Sequence, residues 1–94
     1  MQQLRLVRDP AERWFDDGRL VAIPAKRGKR RPILDRLAQQ FEVGVYYTEA
    51  DVNAALREFH PDVAALRRYL VEEGFMSRTA GGFSYWRCGG DVEF

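Results

Sequence analysis

Residues 48–88 read TEADVNAALREFHPDVAALRRYLVEEGFMSRTAGGFSYWRC, and this stretch decides the fold. Thr48-Glu49-Ala50-Asp51 has the form of a capping box with Asp in place of the usual longer acid, so a helix starts there. Val52, Ala55, Leu56 and Phe59 follow at three- and four-residue spacing as one apolar stripe, which His60-Pro61 stops. Asp62 is placed to cap the next helix. Its core residues Val63, Leu66 and Leu70 lead to Gly74, a residue suited to the left-handed position just past a helix end. Two β-prone runs come next, Phe75 to Thr79 and Phe83 to Cys88, and Ala80-Gly81-Gly82 between them is a hairpin signal.

Working outward, Val45-Tyr46-Tyr47 is short and β-prone, and Gly44 separates it from a helix with Ile33, Leu34, Leu37, Ala38 and Phe41 on its core face. Pro32 suits the first turn of that helix, which leaves Lys26 to Arg31 as a basic loop ahead of it. Arg19 to Ile23 reads as a short strand stopped by Pro24. Asp9-Pro10-Ala11-Glu12 starts a short helix carrying Trp14 and Phe15, which Asp16-Asp17-Gly18 ends. Met1 to Arg8 has no cap or turn to define an element. From Pro32 to Cys88 the order is helix, short strand, helix, turn, helix, hairpin, the order of a winged helix-turn-helix. The expected architecture is therefore α+β: a winged helix-turn-helix with an N-terminal helix and short strand extension. Residues 1–8 form an arm and residues 9–94 one domain.

At 94 residues, 46% hydrophobic and 13% aromatic, the chain can bury one core without a metal or disulfide staple. Cys88 stands alone, so no intramolecular disulfide can form, and no apolar run has the length of a signal region or a membrane span. The cytoplasm is the expected compartment. Catalysis fails on inventory. The single His60 lies before a proline, Cys88 sits on an expected strand, Asp16-Asp17 belongs to a turn, and Gly81-Gly82 serves a hairpin. No metal-ligand spacing or cofactor motif is present, and the expectation is a non-enzymatic protein without cofactor.

The strings Asp17-Gly18-Arg19-Leu20, Ile23-Pro24 with Lys26, Tyr47-Thr48-Glu49 with Val52-Asn53, Leu66-Arg67-Arg68 with Leu70-Val71, and Tyr85-Trp86-Arg87 together resemble one bacterial family, domain of unknown function 2087. The resemblance spans roughly residues 12 to 88. Members of that family occur alone or joined behind a helix-turn-helix of the ArsR type, which implies a connection with transcription and assigns no activity to the domain. No such additional domain lies in this sequence, so a DNA contact is expected from this domain itself or from a partner chain.

Net charge is only +1, and its distribution carries more information than its total. Lys26, Arg27, Lys29, Arg30 and Arg31 crowd six positions, while Asp91 and Glu93 lie near the C-terminus. Cations at a helix start oppose the helix dipole by about 0.3–1 kcal/mol, a local cost that favours a binding role over a merely solvated run. In the helix after Asp62, Ala64, Ala65, Arg68 and Glu72 face away from the core, few groups with which to read base edges. Arg67 falls on the inward edge. It either pairs with Glu49 or Asp51, setting the angle between the two helices, or lays its stem over the core with its head in water. Arg78 and Arg87 join Tyr85 and Trp86 in the hairpin, a mixture of cations and aromatics suited to phosphate contact, and strand alternation assigns at least one of the two rings to the core.

Two functions follow. The first is a DNA-associated regulator contacting phosphates through Lys26, Arg27, Lys29, Arg30, Arg31, Arg68, Arg78 and Arg87, with RNA alongside DNA because backbone contacts do not distinguish the duplexes. A homodimer fits that reading, since one small module binds weakly. The second is a protein-interaction or ligand-sensing module that docks its partner on an aromatic surface around Trp14, Phe15 and Trp86. Neither involves a membrane.

Overall fold

A computed structural model describes residues 9–90, so the arm at 1–8 and the acidic residues Asp91 and Glu93 lie outside the described residues. The fold is α+β, with three α-helices and two small antiparallel sheets among the described residues. No helix among them is long and apolar enough to cross a membrane.

The chain begins differently from the expected helix. Asp9 accepts the Ala11 N–H through its carboxylate at 3.0 Å, and one 3-10 turn, Glu12–Trp14, follows. Phe15–Asp16 (β1) and Arg19–Leu20 (β2) then pair antiparallel, Phe15 opposite Leu20. Asp17 and Gly18 take φ of 52° and 80°, the two successive positive values of a tight primed hairpin turn. Asp-Gly is thus a hairpin turn and not a helix stop. Phe15 is drawn into extended geometry, where its ring meets Phe59 edge-on at 6.3 Å. The strand expected over Arg19 to Ile23 keeps two residues, because beyond Leu20 the backbone turns to other partners: Leu20 N–H donates to Phe59 O and Val21 N–H to Trp14 O, both at 2.8 Å.

Arg27–Ala38 forms α1. Its buried face is Ile33, Leu34, Leu37 and Ala38, as the spacing predicts, but it starts five residues before Pro32. The stretch expected as a basic loop is therefore the first turn and a half of a helix. Pro32 removes the hydrogen bond that would reach Gly28, whose position is exposed, so water can serve that carbonyl and the helix continues.

Glu49–Arg57 is α2 and begins with the expected capping box: Thr48 Oγ1 accepts the Asp51 N–H at 3.0 Å and Asp51 Oδ2 accepts the Thr48 N–H at 3.1 Å. Val52 and Leu56 are its fully buried residues. At its far end Arg19 donates to the Glu58 carbonyl at 3.0 Å, which anchors the β1–β2 hairpin to that helix end. Asp62 caps α3, Val63–Glu72, by accepting the Ala65 N–H at 3.2 Å. The helix ends in a Schellman arrangement around Gly74: Phe75 N–H donates to Leu70 O and Gly74 N–H to Val71 O.

Met76–Arg78 (β3) and Tyr85–Arg87 (β4) form the expected hairpin, with Ser77 opposite Trp86. The β-prone Val45 to Tyr47 run contributes one bridging residue: Tyr47 exchanges two 2.8 Å backbone bonds with Tyr85. Gly89 closes the hairpin against the end of α3, where a Cβ would lie 2.3 Å from Gly74 O. Leu34, Leu37, Val52, Leu56, Leu66 and Leu70 from the three helices meet Phe75, Met76 and Tyr85 of the hairpin in one core.

Candidate functional site

Two charged constellations involve α3, one around Glu73 just past its C-terminal end and one along its exposed side. At the C-terminal end, Glu73 gathers the start of α1. Arg30 Nε donates to Glu73 Oε2 at 2.8 Å, and the two side chains are only 11% and 5% exposed. The same guanidinium donates to Ala25 O at 2.7 Å and lies 4.0 Å over the Tyr69 ring. Arg27 Nε approaches Glu73 Oε1 at 3.6 Å from the surface, while Arg31 donates to the Glu73 carbonyl and covers Phe75 at 5.0 Å. These contacts offset the unfavourable placing of cations at a helix start. Arg36, farther along α1, covers Phe15 at 4.3 Å and sits 3.8 Å from Asp9.

Arg31 stays exposed and adds one long bond to a clamp between α1 and α3, whereas Arg30 is held inside that clamp. Arg87 is likewise turned inward, donating to Phe41 O and Gly89 O. Lys26, Arg27 and Lys29 remain exposed on the first turn of α1.

The second constellation is a groove of about 350 Å³ between α3, the start of α2 and the β3–β4 hairpin. Arg67, Arg68 and Arg78 line it together with Glu49 and Glu72. Glu49 accepts the Tyr85 hydroxyl at 2.9 Å and lies 3.7 Å from Arg67 Nε, while Arg67 also donates to Asn53 Oδ1. The expected pairing of Arg67 with an acid of the preceding helix is thus made through Glu49, and it ties α2 to α3. Burial and donation to the Glu49 carboxylate push the Tyr85 pKa up, opposed in part by Arg67 and Arg78, so Tyr85 serves here as a hydroxyl donor. Arg68 forms an exposed pair with Glu72 at 3.8 Å and covers the Tyr69 ring at 5.2 Å, so one tyrosine carries Arg30 and Arg68 together. Arg78 donates to the carbonyls of Thr79 and Ala80 in its own hairpin, and no carboxylate among the described residues lies within ion-pair distance of it.

Of the expected phosphate ligands, then, the structure gathers Arg68 and Arg78 at one groove, leaves Lys26, Arg27, Lys29 and Arg31 exposed at the start of α1, and takes Arg30 and Arg87 into the fold. Glu73, which is not among the expected ligands, is the hub of the clamp. The available signal was spacing, because Leu66, Leu70 and Glu73 follow one another at four and three residues on a single stripe.

A family model described as an uncharacterized protein conserved in bacteria, domain of unknown function 2087, matches residues 19–87. No curated protein and no solved structure matches the chain. The matched span holds the α1–α3 clamp, both helices of the groove and the paired strands of the hairpin, and the chain belongs to this family.

Proposed function

We propose that the protein is a winged-helix-type module that contacts the phosphate backbone of duplex DNA, without base-specific reading, as part of transcriptional regulation. The order α1, bridging Tyr47, α2, α3, hairpin supports the winged-helix reading, with Tyr47 added to β4 as a third strand position. The observation that carries the functional reading is the set of cations left exposed by the fold. Lys26, Arg27 and Lys29 at the start of α1, near the C-terminal end of α3, and Arg68 and Arg78 at the groove are all exposed. Few base contacts are available, since Ala64 and Glu72 occupy the outward face of α3 beside Arg68, and Glu72 repels phosphate. Contact with the phosphate backbone accordingly supplies most of the affinity, and it weakens steeply with salt.

The test is anisotropy of a labelled random duplex at about 20 mM and about 150 mM salt, with Lys26→Ala/Lys29→Ala and Arg68→Ala/Arg78→Ala as variants. Salt-sensitive binding reduced by both pairs supports the reading. Absence of binding at the lower salt refutes it. A protein-docking role is the second reading, favoured by Tyr46, which is 71% exposed and packs edge-on against Trp86 at 5.5 Å, next to exposed Val43 and Val45. Salt-insensitive association through this patch is what separates the two.

A further inference from the structure

We infer that the groove between α3 and the β3–β4 hairpin is a binding site for a small organic anion, one carboxylate or phosphate head on a compact apolar body. Three arginines face two carboxylates there, and both carboxylates are already engaged. Glu49 has the Tyr85 hydroxyl and Arg67, and Glu72 has Arg68. The charge in excess belongs to Arg78, whose own contacts are two long hydrogen bonds to loop carbonyls at 3.3 and 3.4 Å. Those bonds leave guanidinium donors for a ligand, and an anionic head satisfies them with charge assistance.

The site is concave where that head would sit. A side chain at Gly82 would begin 3.6 Å from Glu49 Oε1 and 3.8 Å from both Arg78 Nη1 and Tyr85 Oη, so the glycine adds no bulk to the groove beside Arg78, whose Nε and Nη2 donors are the ones left for the head. Ala64 and Val71 on α3 supply an apolar wall, and the groove volume stands at the lower end of the range for small-molecule sites. A bare inorganic anion leaves that wall uncovered, and a body the size of one aromatic ring covers it. The site shares Arg68 and Arg78 with the proposed backbone contact, but it requires no nucleic acid, so either reading can fail alone.

The experiment follows backbone amide NMR shifts of the full chain, without DNA, on titration with phenyl phosphate, benzoate and inorganic phosphate. Saturable shifts at Gly81, Gly82 and Tyr85 are expected with the two aromatic anions, at least about tenfold weaker with inorganic phosphate. Arg78→Gln should abolish them. Ala64→Leu, an exposed helical substitution that fills the groove without changing charge, should weaken the aromatic anions by about tenfold while melting stays unchanged. Unsaturable shifts, shifts spread over all cationic surfaces, or equal affinity in Ala64→Leu would overturn the site.

Discussion

Glu73 and Tyr85 show how single side chains here combine stability with placement. Glu73 holds a nearly buried arginine whose guanidinium also stacks on Tyr69, so neutralising the acid strands a charge in a poorly solvated position. Glu73→Gln keeps an acceptor for Arg30 and is expected to cost about 2 kcal/mol, read as a lowered urea midpoint with unchanged slope. A midpoint shift within about 0.5 kcal/mol would show that the clamp contributes nothing. For the same reason Arg30→Ala is a stability variant and a poor probe of binding. Tyr85 has its pKa above the ordinary 10.0, chiefly through burial and then through its bond to Glu49. The folded state therefore holds the phenolic proton more tightly than the unfolded chain. Its contribution is complete below about pH 10 and is lost as pH rises through the elevated folded value. Tyr85→Phe should cost about 1 kcal/mol at neutral pH and should lose less stability than wild type as pH rises above about 10. Parallel losses in the two proteins would remove the hydroxyl from the alkaline transition.

Among the elements, those with local stop and start signals are the ones the sequence foretold. Thr48 with Asp51 and Asp62 with Ala65 cap α2 and α3 through bonds that span three residues, so no distant partner was needed to find them. Thr48→Ala is expected to lower stability by about 1 kcal/mol in thermal melting, with the β3–β4 hairpin shifts preserved; no change in melting would show that the box adds nothing to α2. The misread elements had ambiguous local signals. Asp17-Gly18 serves a helix end and a hairpin equally well by composition, and packing of Phe15 on Phe59 accompanies the hairpin. Pro32 marks a first turn by its lack of an N–H, yet α1 extends back to Arg27, where Arg30 and Arg31 meet Glu73 and Phe75 in the turn between α3 and β3. A helix start made of five cations in six positions is unfavourable alone and becomes acceptable only against Glu73.

At the scale of the whole molecule, a net charge of +1 is divided unevenly, with exposed cations at the start of α1 and at the groove, where Glu49 and Glu72 are already paired. If Lys26, Arg27, Lys29, Arg68 and Arg78 all reach phosphates, the slope of log affinity against log salt is at most about −4.5, and losing Arg68 and Arg78 brings it toward about −2.7. An unchanged slope in that double variant would place the contacts elsewhere. The sequence by itself determined the α+β character, both helix caps, the hairpin after Gly74 and the core stripes of all three helices, because each depends on residues within a few positions of one another. It also carried the family resemblance and the pairing expected of Arg67. Only the tertiary structure decided which cations are available. Arg30 and Arg87 look the same in sequence as Lys26, Lys29 and Arg78, but whether a cation faces solvent or is held inside the fold depends on residues such as Glu73, 43 positions from Arg30, and charge acts through space without regard to order along the chain.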